Sequence, residues 1–323
     1  MPPWVAVRAV LQRQIPEYPE AVGVGAAGVD IKGKTADRLT LGSSSPGEVR
    51  ITLGGSARNM AENLGRFGVR TLLLTVVGAD SFGRMIRERT AAAGVDVSRT
   101  IISTAYPSAT YVTVLDSSGI PYLGVDDMAI VSAITPDYVF SQRDLIRRAK
   151  MIAIDANLAP RTLTTVFGLA SRYNIPGCVN PVSVALAPKL KARLRDCSII
   201  TPNAAEAEVL TGIHIKDIAN GAQAAQRLVA AGVGLAIITM GEDGVCYATG
   251  EGNGHVPEVR CEVVDRTGAG DALAAGVAYG LMSEFPVDEA LRLGVSAATM
   301  ALSSKDTVNP ELSLENLYQA LAV

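Results

Sequence analysis

Short apolar runs rich in β-branched residues recur along the chain, and segments of helical period separate them. Thr71–Val77, Met151–Ile154, Gly177–Val179, Ser198–Ile200 and Leu235–Thr239 are such runs, and each reads as a short strand. Between them, Ala57–Phe67 places Met60, Leu64 and Phe67 at i, i+4 and i+7, while Ser81–Ala93 puts Phe82, Met85 and Ile86 on one face. Strand and helix in alternation predict an α/β fold, a doubly wound, Rossmann-like and mainly parallel sheet. Hydrophobic residues are 48% of the chain but aromatics only 5%, so Ala, Val, Leu and Ile supply the core, as suits helices packed on a parallel sheet.

Two stretches break the alternation. Val29–Leu53 and Ala105–Val125 are alternating or Gly/Ser-punctuated, with Tyr111-Val-Thr-Val-Leu115 followed by the turn Asp116-Ser-Ser-Gly119. They predict a small β-sheet lid, built from about 29–53 and 105–126, inserted in a single domain spanning 21–323 and closing over its ligand. Gly250–Gly254 reads as a hairpin loop. Residues 1–20 have a short apolar stretch broken by Arg8 and Arg13, without the apolar core of a signal peptide, and read as an N-terminal extension.

Charge and cysteine usage exclude some partners. The formal charge is −3 and no basic run stands out, which argues against nucleic acid and for a small-molecule ligand. Cys178, Cys197, Cys246 and Cys261 are widely spaced and only His214 and His255 could assist them, so a zinc site is not expected and the thiols read as reduced. No run approaches the ~18 apolar residues of a membrane span. The expectation is a soluble, cytoplasmic protein.

Gly23-Val-Gly-Ala-Ala-Gly28 matches G-x-G-x-x-G, with Glu48 twenty residues on. A dinucleotide site would need an amphipathic helix next, whereas Val29–Pro46 has no 3.6 period and contains Gly33 and Gly42. A dinucleotide reading is therefore set aside.

Phosphoryl transfer needs amides or cations on the phosphate oxygens, a divalent metal, and a base near the acceptor hydroxyl. Thr267-Gly-Ala-Gly-Asp271 runs into a segment whose Leu273, Gly276, Val277 and Gly280 mark one helical face. Its glycines thus sit at a helix N-terminus, where bare amides and the helix dipole favour an anion, with Asp271 in the first turn. A tight turn with an acidic cap is the plain alternative. Leu53-Gly-Gly-Ser-Ala-Arg-Asn59 opens the helix at Ala57, so that a polyol could lie on Gly54 and Gly55 while Asn59 grips its hydroxyls; a loop and N-cap would look the same. Asn203 and Glu206 share a helix face, fit either to hold the water shell of Mg²⁺ or to cap a surface helix. Thr239-Met-Gly-Glu-Asp-Gly-Val245 ends a strand with two glycine bends, suited to a nucleotide or to a hairpin turn.

With these four strings in order, the chain resembles the ribokinase-like (PfkB) family of carbohydrate kinases, from about Ala21 to the C-terminus. The family's closing D-T-x-G-A-G-D appears as Asp265-Arg-Thr-Gly-Ala-Gly-Asp271, with Arg266 in place of the usual Thr; its glycine pair lies at Gly54–Asn59, its N-x-x-E at Asn203–Glu206 and its T-x-G-x-x-G at Thr239–Gly244. The resemblance implies that Asp271 is the general base and that the amides of Gly268, Ala269 and Gly270 form the anion hole. It assigns sugar hydroxyls to Asp30, Gly55, Ser56 and Asn59, joined by Asn157, and ATP to Asn203, Thr239, Gly241 and Gly244. It gives Mg²⁺, through water, to Glu206, and an activating K⁺ to Asp265 and Thr267. A homodimer formed through the lid is the family's habit. Where the family often has Asn, two residues before Asp30, this chain has Gly28, so that one substrate hydrogen bond of the family is either missing or supplied elsewhere.

Further strings, Ser45-Pro-Gly-Glu48, Asp127-Met128 with Ser132–Tyr138, Asn180-Pro-Val-Ser183 and Thr307–Ser313, resemble the branch of the family that phosphorylates pseudouridine. Many relatives have Asp where this chain has Asn180, a position read here as structural. Ser108, Thr110, Tyr111, Asp127 and Met128 could supply polar partners and an apolar face to a uracil ring. Another nucleoside, ribose or a hexose remains an alternative acceptor, and Gly28 and Arg266 also admit a non-catalytic nucleoside sensor.

Overall fold

The computed structural model describes residues 18–36, 39, 42–117 and 121–321. Residues 1–17 of the expected N-terminal extension, and the tip of the turn expected at 116–119, lie outside them.

Among the described residues the main sheet has nine strands, in the order Asn253–Val256, Val245–Thr249, Leu235–Thr239, Ile199–Ile200, Gly177–Asn180, Met151–Asp155, Ala21–Val24, Thr71–Leu74 and Val95–Asp96. Pairings from Leu235–Thr239 through to Val95–Asp96 are parallel, and the two strands on the other edge are antiparallel. Every residue of Ala21–Val24, Thr71–Leu74 and Met151–Asp155 is buried, as a parallel strand covered by helices on both faces must be. Gly250–Gly252 connects the antiparallel pair, as the glycine-rich string predicted.

Helices pack on the main sheet in apolar layers on two sides. On one side, Val166, Phe167 and Leu169 of the Pro160–Tyr173 helix pack with Ile152 and Ile154; on the other, Met60 and Leu64 of Ser56–Arg66 pack with Leu273 and Val277 of Ala269–Met282. Each of these side chains contributes roughly 1.5–3 kcal/mol by leaving water. The Ala269–Met282 helix crosses Val287–Leu302 at Gly276, where a Cβ would stand 2.8 Å from the Cα of Gly294. Small residues at that crossing bring the helix backbone close enough to hold its N-terminus over the sheet.

One expected strand is two. The chain leaves the main sheet at Thr75, whose Oγ1 donates to the carbonyl of Gly25 (2.7 Å) and whose carbonyl accepts from Ile101 N (2.9 Å). Val76–Gly78 therefore pairs with Ile101–Ser103 in a separate parallel ribbon.

Among the described residues the second sheet has four strands, Gly47–Gly54, Gly28–Thr35, Ala109–Leu115 and Pro121–Asp127 in spatial order. Two antiparallel hairpins meet along a parallel seam between Gly28–Thr35 and Ala109–Leu115. Gly28 thus opens a strand and not a helix, as the missing 3.6 period required. It pairs with Ala109, and a Cβ on it would stand 2.8 Å from that residue's carbonyl oxygen, so no Asn side chain fits there in this packing.

Candidate active site

Side chains for chemistry collect where the parallel strands end at their carboxyl termini, the usual crevice of such a sheet. Asp155 and Asn180 finish Met151–Asp155 and Gly177–Asn180, Asn203 follows Ile199–Ile200, and Thr239 finishes Leu235–Thr239.

Asp271 sits in the first turn of the Ala269–Met282 helix, 8% exposed. Three donors hold its carboxylate. Ser56 Oγ and Asn180 Nδ2 donate to Oδ1 at 2.5 and 2.8 Å, and Asn59 Nδ2 donates to Oδ2 at 2.8 Å. Burial pushes the Asp271 carboxyl up to about 6, against the pull of these hydrogen bonds and with help from the charge of Asp155. Such a carboxyl is a competent proton acceptor at neutral pH. Asn180 was expected to be structural; it touches the acid directly, and its Oδ1 accepts from Val182 N (2.7 Å), which fixes the amide's orientation. The signal for it lies in its place, a polar residue at the end of a buried strand.

Gly268 takes a left-handed φ of 86° as the helix N-cap, and a Cβ there would collide with the carbonyl oxygen of Thr307. Gly268, Ala269 and Gly270 therefore present a helix start with bare amides. A Cβ on Gly270, by contrast, would meet nothing within 4 Å: it would project into open space.

That space is a cleft of about 620 Å³, lined by Asn203, Thr239, Gly241, Gly244, Arg266 and Gly270 together with apolar Leu273, Val295 and Leu302. All four residues expected to hold the nucleotide line it. Asn203 and Thr239 form a parallel bridge, Thr239 N donating to Pro202 O at 3.0 Å. Thr239–Gly244 is also a hairpin connection, since its two strands pair antiparallel, and Thr239, Gly241 and Gly244 line the cleft as well. Asn203 and Glu206 form a reciprocal capping box: Glu206 N donates to Asn203 Oδ1 (2.9 Å) and Asn203 N to Glu206 Oε2 (3.0 Å). Burial raises the Glu206 carboxyl above its ordinary range. Among the described residues no cluster of three His, Cys, Asp or Glu that could hold a metal is found, and Glu206 is the carboxylate expected to meet Mg²⁺ through water.

Arg266 is mostly exposed and reaches Glu242 across the mouth of the cleft, 3.3 Å Nη2 to Oε1. An exposed pair of this kind contributes little to stability. The departure at position 266 therefore places an exposed cation on the lining of the cleft, beside the nucleotide's expected path.

On the acceptor side, Asp30 is 7% exposed, and its carboxylate lies against Gly54, where any Cβ would strike it. Desolvation by burial raises the Asp30 carboxyl, with Lys32 and Arg58 opposing. Gly55, the N-cap of the Ser56–Arg66 helix at φ 93°, passes 2.5 Å from Ala26 O measured from its missing Cβ, so the helix start lies tight against the end of the first strand. Asn157 is next to this group, its backbone N donating to Asp155 Oδ1 at 2.9 Å.

Asp155 itself was not singled out in the sequence. Fully buried, it accepts from Ala26 N (2.8 Å) and Ala57 N (3.0 Å) through Oδ2, and thereby ties the first strand to the helix that carries Ser56 and Asn59. An acid closing a buried parallel strand, in Met151-Ile-Ala-Ile-Asp155, is the signal that could have found it. Of the proposed base-recognition residues, Ser108 is occupied elsewhere: its Oγ donates to Asp80 Oδ1 (2.7 Å) and its N to Asp80 Oδ2 (2.8 Å) at a helix N-cap. Asp127 likewise caps Ala129 N, at 3.2 Å.

Asp265 and Thr267, expected to bind a monovalent cation, are engaged by a side chain. Lys32 Nζ donates to Asp265 Oδ2 and to Thr267 Oγ1, both at 2.5 Å. A second monovalent cation ~4 Å from that ammonium would meet repulsion of about 4 kcal/mol at an effective dielectric constant near 20. The residues present therefore do not fit a bound K⁺ while Lys32 is in place.

A helix start with bare amides, an adjoining cleft of about 620 Å³ and a buried acid with a raised pKa are the parts a small-molecule phosphotransferase needs. The sequence model of the pfkB family carbohydrate kinases matches residues 19–313. Pseudouridine kinase of Escherichia coli (strain K12) is 34% identical over 296 residues, covering 91% of this chain and 94% of that one. Among solved structures, a carbohydrate kinase from Agrobacterium tumefaciens is 29% identical with a TM-score of 0.80, over 94% of this chain and 96% of the other. The Arabidopsis thaliana ribokinase complexed with ribose and ATP shares the fold, with a TM-score of 0.82 at 21% identity over 95% and 99% of the two chains. The chain belongs to the pfkB family of carbohydrate kinases and is a sugar or nucleoside kinase.

Proposed function

We propose that the protein transfers the γ-phosphoryl group of ATP to the 5′-hydroxyl of pseudouridine, giving pseudouridine 5′-phosphate and ADP. The observation that carries the transfer is the carboxylate of Asp271, acceptor of three hydrogen bonds in the first turn of a glycine-started helix. Asp271 takes the proton of the attacking hydroxyl, and the amides of Gly268, Ala269 and Gly270 face the charge that develops on the phosphoryl oxygens. Asn203, Thr239, Gly241 and Gly244 hold the nucleotide. Glu206 would hold Mg²⁺ through water, and the ion would supply neutralisation of the phosphate charge. Asp30, Gly55, Ser56 and Asn59 hold the sugar, with Asn157 beside them.

The acceptor rests on sequence similarity to the Escherichia coli pseudouridine kinase along nine-tenths of the chain. Purified protein with Mg-ATP should form ADP with pseudouridine faster than with uridine, inosine or ribose, and phosphorus NMR should place the phosphate on the 5′-oxygen. A panel in which ribose or another nucleoside is turned over more efficiently replaces the acceptor and leaves the kinase chemistry standing; nucleoside binding without ADP formation favours the sensor.

We also propose that the four-stranded sheet acts as the lid and joins two copies. Its outer face carries two cross-strand apolar rows: Ile51, Ile31, Val112 and Val125 in one, Val49, Gly33, Val114 and Leu123 in the next. Val49 and Val125 are 73% and 63% exposed, more apolar surface than an isolated sheet face usually leaves in water. Light scattering should give a dimer mass, and the pair Ile51→Glu with Val125→Glu should give a monomer.

A further inference from the structure

The Gly28–Thr35 strand turns alternate residues to opposite faces. Ile31 and Gly33 look outward, so Asp30 and Lys32 share the inner face: the first lies beside Gly54, and the second crosses to the loop that leads into Gly268. The Lys32 and Asp265 side chains are only 11% and 20% exposed. The other Asp265 oxygen, Oδ1, accepts from Thr267 N at 2.9 Å and so fixes the turn that delivers the anion-binding amides. Burial pushes the Asp265 carboxyl up, but Lys32 and Thr267 outweigh it and hold it below the usual carboxylate range. The acid next to the phosphoryl site is thus already neutralised, by a cation belonging to the strand that carries Asp30.

We propose that the Lys32 ammonium is a built-in substitute for the monovalent cation, making this kinase independent of K⁺, and that the Lys32–Asp265–Thr267 contact positions the anion-hole loop against the small sheet. An ammonium is a compact point charge with three donors, and two of its donors are accounted for by Asp265 and Thr267. A free cation would balance Asp265 equally well. Only the lysine also couples the loop to the acceptor-binding strand, so that Asp30 and the helix start move as one piece. Lys32 acts through the loop and is a positioning residue.

The inference rests on the kinase reading, and the test separates the two. Turnover of ATP with the acceptor, and thermal unfolding without substrates, are measured at constant ionic strength in potassium, sodium or tetramethylammonium chloride. Wild-type turnover should agree within about twofold across the three salts, and K⁺ should not raise the melting temperature, since no ion binds the folded state selectively. Lys32→Met, nearly isosteric and uncharged, should lose roughly tenfold or more in tetramethylammonium because the loop is mispositioned. It should recover in KCl, and K⁺ should now raise its melting temperature. A wild-type enzyme that K⁺ activates or stabilises specifically overturns the proposal, as does a folded Lys32→Met variant indifferent to K⁺. Should Lys32→Met not fold, the wild-type salt series decides alone. Absence of turnover in every salt would count against the kinase reading, and the melting measurements would still report whether a cation binds.

Discussion

Asn180 Nδ2 donates to Asp271 Oδ1 at 2.8 Å, which makes the last residue of a buried strand a direct partner of the proposed base. The bond favours the ionised carboxylate, opposing the burial that lifts the Asp271 carboxyl to about 6. A general base works only when deprotonated, so kcat/KM should be level above that value and fall about tenfold per pH unit below it. Asp271→Asn should lower turnover by ~10²–10⁴-fold, since base and charge go together. A pH–rate profile with no limb between pH 5 and 7, at about the position the burial sets, would contradict the role given to Asp271.

Asn180→Asp extends the same reasoning. A second carboxylate against Asp271 replaces a donor with a like charge, and the pair then resists double ionisation. The acidic limb of the pH–rate profile should move up by roughly a unit or more, with the plateau rate much less affected. An unmoved limb would mean that Asn180 does not contact the working base.

Asp155 should matter first to stability. Asp155→Ala removes the acceptor of three backbone amides, those of Ala26, Ala57 and Asn157, and a buried unpaired donor costs about 1–3 kcal/mol. Relief of the buried charge, whose carboxyl desolvation raises above its ordinary range, offsets part of that loss. The expected net is a loss of about 2–4 kcal/mol in urea unfolding, together with reduced turnover as Ser56 and Asn59 shift. Full turnover at unchanged stability would show that the tie between strand and helix is dispensable.

Gly28 and its neighbours illustrate what was legible in the sequence. The absence of a 3.6 period after Gly28 excluded a dinucleotide helix, and alternation in 29–53 and 105–126 announced the small sheet, because strand period and hairpin punctuation are local properties. The break at Thr75 was not legible, since it depends on a hydrogen bond to Gly25, fifty positions away in the chain. For the same reason Asp271 was found through its own glycine-rich string, whereas Asn180, Asp155 and Lys32 act through contacts 91, 98 and 233 residues apart. Motif reading finds groups that lie next to each other in the chain; partners brought in by the sheet emerge only when the strands are placed.

Gly268 and Gly270, two residues apart at one helix start, should respond to the same substitution in opposite ways. Gly268 has φ 86° and no room beside Thr307 O, so Gly268→Ala imposes both backbone strain and a backbone collision. It should lower the melting temperature, with a cost of about 1–3 kcal/mol or more, and abolish turnover as the helix start moves. Gly270 lies in the helix with open space where its Cβ would be. Gly270→Ala should leave stability unchanged or slightly raise it, since alanine is favoured over glycine within a helix by about 0.5–1 kcal/mol. Its methyl group would nevertheless occupy the face on which the transferring phosphoryl group is proposed to lie. Turnover should fall by roughly 10²-fold or more, as one displaced contact in an anion hole does, while the protein melts normally. Full activity in Gly270→Ala would remove that helix face from the phosphoryl path, and normal stability in Gly268→Ala would mean that the left-handed turn is not required to form the loop.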